Sequence, residues 1–133
     1  MNLAEKLIRI DKEKVKEKET KKIHSKKLSK LLGEPTEITI QELSGKTVND
    51  ITQMIFDKKG NRDMSRLYEQ NLMCCVEGVV EPNLKDSQLM EHFGAATPKD
   101  LAAILFGVES GAIASEISAL SGFSGSEEDE IKN

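Results

Sequence analysis

Between Asp63 and Phe93 the apolar residues recur at helical spacing, and the rest of the chain is patterned to cover what they build. Met64, Tyr68, Leu72, Cys75 and Val79 lie three or four residues apart, which puts them on one stripe of an α-helix. Leu67, Cys74, Val76 and Val80 widen that stripe, so the pattern predicts a continuous core helix over 64–80, covered on much of its surface. Asp63 is placed to cap it. Glu81-Pro82 is placed to stop it, because the residue before a proline is driven out of the α region. Asn83 to Asp86 then turns the chain, and Asp86 caps a shorter helix carrying Leu89, Met90 and Phe93, closed by Gly94.

The flanks read in the same way. Thr36 to Leu43 alternates, with Ile38 and Ile40 on one side and Thr39 and Gln41 on the other, which predicts a strand. Lys21 to Ser25 is its candidate neighbour. Between them Ser25 is an N-cap for a short helix with Leu28, Leu31 and Leu32, and Gly33 is its stop. Ser44-Gly45 opens a helix with Val48, Ile51 and Ile55 on one face and Met54 beside them, ending before the polar loop Asp57–Asn61. Thr97-Pro98-Lys99-Asp100 is a helix start with a cap, a first-turn proline and an acid three residues on. Leu101, Ile104, Leu105 and Val108 form its stripe. Ser110 opens the last helix, with Ile113, Ile117 and Leu120 inward, and Gly122 ends it with Phe123 packing back.

The outcome is a mainly α (α+β) fold. A compact helical domain of about five helices spans 21–123, with one short β element around 36–42. It is flanked by a charged N-terminal helix or tail, 1–20, and by an acidic tail, 124–133, expected to be disordered. At 133 residues this is one domain, and 38% hydrophobic against 32% charged residues allows a modest core.

Composition narrows the function. No tryptophan and 4% aromatics argue against stacking platforms for nucleic acid. No apolar run approaches the roughly twenty residues of a membrane span, and the N-terminus lacks a signal-peptide pattern, so no membrane role is expected. Adjacent Cys74 and Cys75 on a helix point apart and are read as reduced core thiols of a cytoplasmic protein. The net charge of −4 is unevenly spread: residues 1–30 hold eleven Lys/Arg against five Asp/Glu, and the remaining residues eight against eighteen. A basic head on an acidic body leaves a nucleic-acid-binding or regulatory module as the alternative, with solvated tails or self-complementary contacts the commoner cause.

Candidate chemistry is sparse. His24 and His92 have no cysteine or carboxylate at a metal-ligand spacing, and the glycines lack phosphate-loop spacing. Met54, Met64, Met73 and Met90 fall on or near helix stripes, where core filling is the default for at least three of them, although Met also suits adaptable binding surfaces. No catalytic residue, cofactor or metal is implied. By elimination this is a binding protein and not an enzyme.

Three pieces of the chain resemble one family. They are Val80-Glu81-Pro82-Asn83-Leu84 after a helix, Phe93-Gly94 followed by Thr97-Pro98-Lys99-Asp100-Leu101, and the closing Leu120-Ser121-Gly122-Phe123. Together with Glu34 to Ile51 they resemble the phage and prophage tail assembly chaperones of the XkdN-like type over about two thirds of the chain. The resemblance implies a non-enzymatic protein of the bacterial host cytoplasm that binds the tape measure protein of a long-tailed phage or prophage. It would keep that long, apolar-striped helical protein from aggregating until tail tube subunits polymerise around it. Self-association, or pairing with a longer frameshifted form of itself, is the other partner the family suggests.

Candidate partner-binding residues are the apolar ones with few core neighbours in sequence. These are the N-terminal stripe Leu3, Leu7 and Ile10, isolated by charged flanks, and Leu28, Leu31 and Leu32, for which closing the core is the competing reading.

Overall fold

A proline and a row of β-branched residues force residues 35–41 into an extended path, and that path is the middle of the molecule's sheet. The computed structural model describes residues 1–122. Strand β2 (Glu37–Gln41) lies between β1 (Thr20–His24) and β3 (Val79–Glu81), antiparallel to both. Ile38 and Ile40 point from β2 into the core and are fully buried, with Ile23 of β1 directly opposite Ile38. The register shifts between Thr39 and Ile40 where β3 joins.

Seven α-helices complete the described residues: α1 (Leu3–Ile8), α2 (Lys26–Leu32), α3 (Gly45–Gln53), α4 (Leu67–Gly78), α5 (Ser87–Phe93), α6 (Pro98–Leu105) and α7 (Ser110–Leu120). Their ends follow local chemistry. Ser25, Ser44, Asp86 and Thr97 each accept a hydrogen bond from a backbone N–H two or three residues on. Gly33 and Gly94 terminate α2 and α5 in the left-handed conformation that only a residue without a β-carbon adopts cheaply. Six helices lie within 21–123, one more than expected. Gly122 also has a positive φ, whereas Phe123 and the segment 124–133 lie outside the described residues.

Helix α4 is central. It packs against α7 most extensively, then α6 and α3, and its last residue leads into the sheet. Its extent departs from the expected 64–80. Met64–Arg66 is a 3-10 turn, on which Asp63 is the cap, accepting from the Ser65 N–H at 3.0 Å. At the other end Val79 leaves the helix and begins β3. Two consecutive β-branched residues beside the open edge of β2 gain more from a ladder than from another helical turn. The one expected β element is therefore three strands. The stripe is also shorter than predicted: Leu72, Cys75 and Val79 are buried, but Met64, Leu67 and Tyr68 are exposed, because none of the described residues covers the first turn.

Candidate partner-binding surface

The site begins with an unusual helix start. Ser25 is fully buried and caps α2 from within, its Oγ accepting from the Leu28 N–H at 3.2 Å. The same hydroxyl donates to the Glu109 carboxylate at 2.6 Å, and Glu109 also accepts from the Lys26 N–H at 2.7 Å and the Lys27 N–H at 3.4 Å. Glu109 comes from the 3-10 turn Gly107–Glu109 that joins α6 to α7, so a carboxylate remote in sequence satisfies the orphan donors and positive end of α2. Lys27 reaches back, its Nζ donating to the Ile104 carbonyl at 2.8 Å. Lys21 of β1 pairs with Glu116 of α7 at 2.9 Å.

These links hold β1 and α2 alongside the α6–α7 corner without closing the space between them. An open groove of about 1050 Å³ remains. Its floor is apolar, formed by Ile23, Phe106, Ala112 and Ile113. Its rim carries Lys21, Lys26, Lys27 and Lys30. Val108 stands at its edge 94% exposed, and Ile104, one turn back, is also exposed. Leu31 lies one helical turn beyond Lys27 on the same face of α2.

The six predicted contact residues divide three ways. Leu28 is only 8% exposed and belongs to the core, as its competing reading had it. Leu31 and Leu32 are each 63% exposed on the helix that walls the groove. Leu3, Leu7 and Ile10 lie on an N-terminal segment in which every residue from 1 to 22 is exposed, so α1 covers none of the core. Neither leucine lines the groove: Leu31 is a turn beyond Lys27, Leu32 is a turn beyond Leu28 on the other side of α2, and the N-terminal stripe is not part of the lining either. The sequence reading missed Val108, taken as core, and Glu109, whose partners are more than eighty residues away. It also missed a second exposed apolar cluster: Met64, Leu67 and Tyr68 near Phe56, whose carbonyl Arg66 bonds.

Cys74 and Cys75 are buried, and their thiols contact the carbonyls of Ala114 and Ser110 at 3.9 and 3.7 Å. Burial pushes Cys74 up to about 11 and Cys75 up to about 12, the opposite of what a nucleophilic thiol requires. Among the described residues no group of three or more His, Cys, Asp or Glu could hold a metal ion. Among them, too, no single helix is long and apolar enough to cross a membrane; α6 with residues 107–120 reaches that composition only as a pair bent by 107°.

Comparison with known proteins supplies what geometry alone cannot. No curated protein and no solved structure matches the chain. The family model of the phage XkdN-like tail assembly chaperone protein matches residues 5–133, nearly the whole sequence. This chain, with its mainly helical fold and open apolar groove, belongs to the XkdN-like family of phage tail assembly chaperones.

Proposed function

We propose that this tail assembly chaperone acts on the tape measure protein, holding its apolar-striped helical segments in the cytoplasm of the bacterial host until the tail tube assembles around them. The observation that carries this reading is the apolar surface left open at the groove, with Val108 at the edge of a floor of Ile23, Phe106 and Ile113, and with exposed Leu31, Leu32 and Ile104 on the helices that flank it. A holdase for amphipathic helices needs such a surface, since an apolar helix stripe is otherwise covered only by aggregation. Covering the exposed part of Leu31 and Leu32 contributes about 1 kcal/mol or more each, enough for reversible holding and well short of permanent capture. The N-terminal stripe Leu3, Leu7 and Ile10 adds contacts to the tape measure protein or to a second copy.

Co-expression tests this. A tape measure fragment should stay soluble with the intact chain, and less of it should do so with Leu31→Ser/Leu32→Ser, whose own melting should be unchanged because both positions face solvent. The triple change Leu3→Ser, Leu7→Ser and Ile10→Ser should also lower the soluble fraction. If the folded Leu31/Leu32 variant holds as much fragment as the wild type, these two leucines are not the contact. If the triple variant alters neither the fragment nor the mass of the free protein in solution, the N-terminal stripe is passive.

A further inference from the structure

The groove is charged as well as apolar, and its charges are not balanced. Four lysines stand on its rim against two glutamates, and both glutamates are already committed: Glu109 to Ser25 and the first N–H groups of α2, Glu116 to Lys21. Lys27 is turned onto the Ile104 carbonyl. Lys26 and Lys30 form no ion pair among the described residues and stand over the apolar floor. Beyond residue 30 the chain carries eight basic and eighteen acidic side chains, so this cationic rim, together with the exposed basic residues of 1–22, holds the chain's excess positive charge. An anionic partner is therefore repelled by most of the body beyond residue 30 and drawn to the basic residues before it, among which the groove alone adds a described apolar floor. The volume corresponds to roughly two turns of a helix about 10 Å across.

From the apolar floor, the lysines that form no ion pair among the described residues and the size together, we infer that the groove takes an amphipathic helix of the partner whose apolar stripe is edged by Asp and Glu. The inference rests on the proposed tape measure reading and states which segments of that partner are held. Charge does not favour α1 of a second copy as the occupant, because Glu5 and Asp11 around its stripe are balanced by Lys6 and Arg9. The apolar floor and the helical dimensions also set the site apart from a bare anion site, since the positive end of α2 is already occupied by Glu109.

The test uses the full chain and synthetic peptides of about twenty residues tiling the tape measure protein of the same phage, with a designed Leu/Glu amphipathic helix as control, read by fluorescence anisotropy. The tightest tape measure peptides should be those with acid-edged stripes. Their affinity should fall about tenfold or more between 50 and 300 mM salt. Lys26→Glu/Lys30→Glu should weaken them at least tenfold, Lys26→Gln/Lys30→Gln by less, with the melting of both variants unchanged. Peptides that bind without acid-edge preference and equally to both lysine variants overturn the inference and leave the tape measure reading standing. Binding of the designed helix alone, lost in the Lys→Glu variant, supports the groove chemistry and removes the tape measure reading. A several-fold gain in affinity when Glu127, Glu128, Asp129 and Glu130 are neutralised to Gln or Asn in the full chain makes the chain's own acidic run the occupant and overturns the assignment to a partner. A concentration-dependent dimer abolished by the Lys→Glu variant does the same in favour of a second copy.

Discussion

Cys75→Asp will not give a stably folded protein. Cys75 is fully buried on α4, where the helix faces α6 and α7, and its thiol lies 3.7 Å from the Ser110 carbonyl. Carbonyl oxygens accept hydrogen bonds and donate none, so a carboxylate placed there is desolvated and repelled. Ser110 Oγ, itself buried without a partner, can offer at most one bond. An uncompensated buried charge costs about 3–5 kcal/mol, and escape by protonation still leaves a poorly paired acid in the core. A domain of this size has only about 5–15 kcal/mol in hand. Thermal melting by circular dichroism should show no cooperative transition, or a midpoint lowered by about 10–30 °C. Cys75→Ala, which removes one sulfur, should retain the transition. A Cys75→Asp midpoint within a few degrees of the wild type would mean that α4 is not held inside the helical layer.

Gly78→Val will come next in severity. Gly78 of α4 lies against Ile117 of α7, and a β-carbon at position 78 would stand 2.5, 2.7 and 2.9 Å from three side-chain carbons of Ile117. Ile117 is fully buried and cannot swing aside, so the helices must separate. Overpacking of this kind costs about 1–3 kcal/mol, and valine, branched at that carbon, lies at the upper end. The cause is checked by a double-mutant cycle. Ile117→Ala alone should destabilise by about 2–5 kcal/mol through the cavity it leaves. The pair Gly78→Val/Ile117→Ala should be more stable than the sum of the two by about 1 kcal/mol or more, because each change relieves the other. Strict additivity in denaturant unfolding would show that the two residues do not touch.

What the sequence made legible was local. Caps at Ser25, Ser44, Asp86 and Thr97, stops at Gly33 and Gly94, and the alternation around Ile38 and Ile40 are written in neighbouring residues, and each appears where its chemistry puts it. The family was legible as well, from short motifs at the turns and helix ends. The errors came where distant partners decided the outcome. Met64, Leu67 and Tyr68 share the helical stripe of Leu72 and Cys75, yet periodicity says only which residues share a face, not how far along the helix that face is covered. Val79 and Val80 continue a helical pattern until the edge of β2, forty residues earlier, offers them a ladder. The groove was hidden for the same reason. Lys26, Lys27 and Lys30 look like an ordinary solvated face until Glu109 draws the start of α2 against the α6–α7 corner.

Hydrogen exchange of the chain, alone and bound to a soluble tape measure fragment, tests most directly whether the open groove is where the chaperone holds its client. The account predicts slower exchange in the complex across α2, residues 26–32, and across residues 104–116, with the sheet and the buried part of α4 unchanged. A complex in which those two segments exchange as they do in the free protein, with protection confined to the cluster at 56–68 or to residues 1–10, would contradict it.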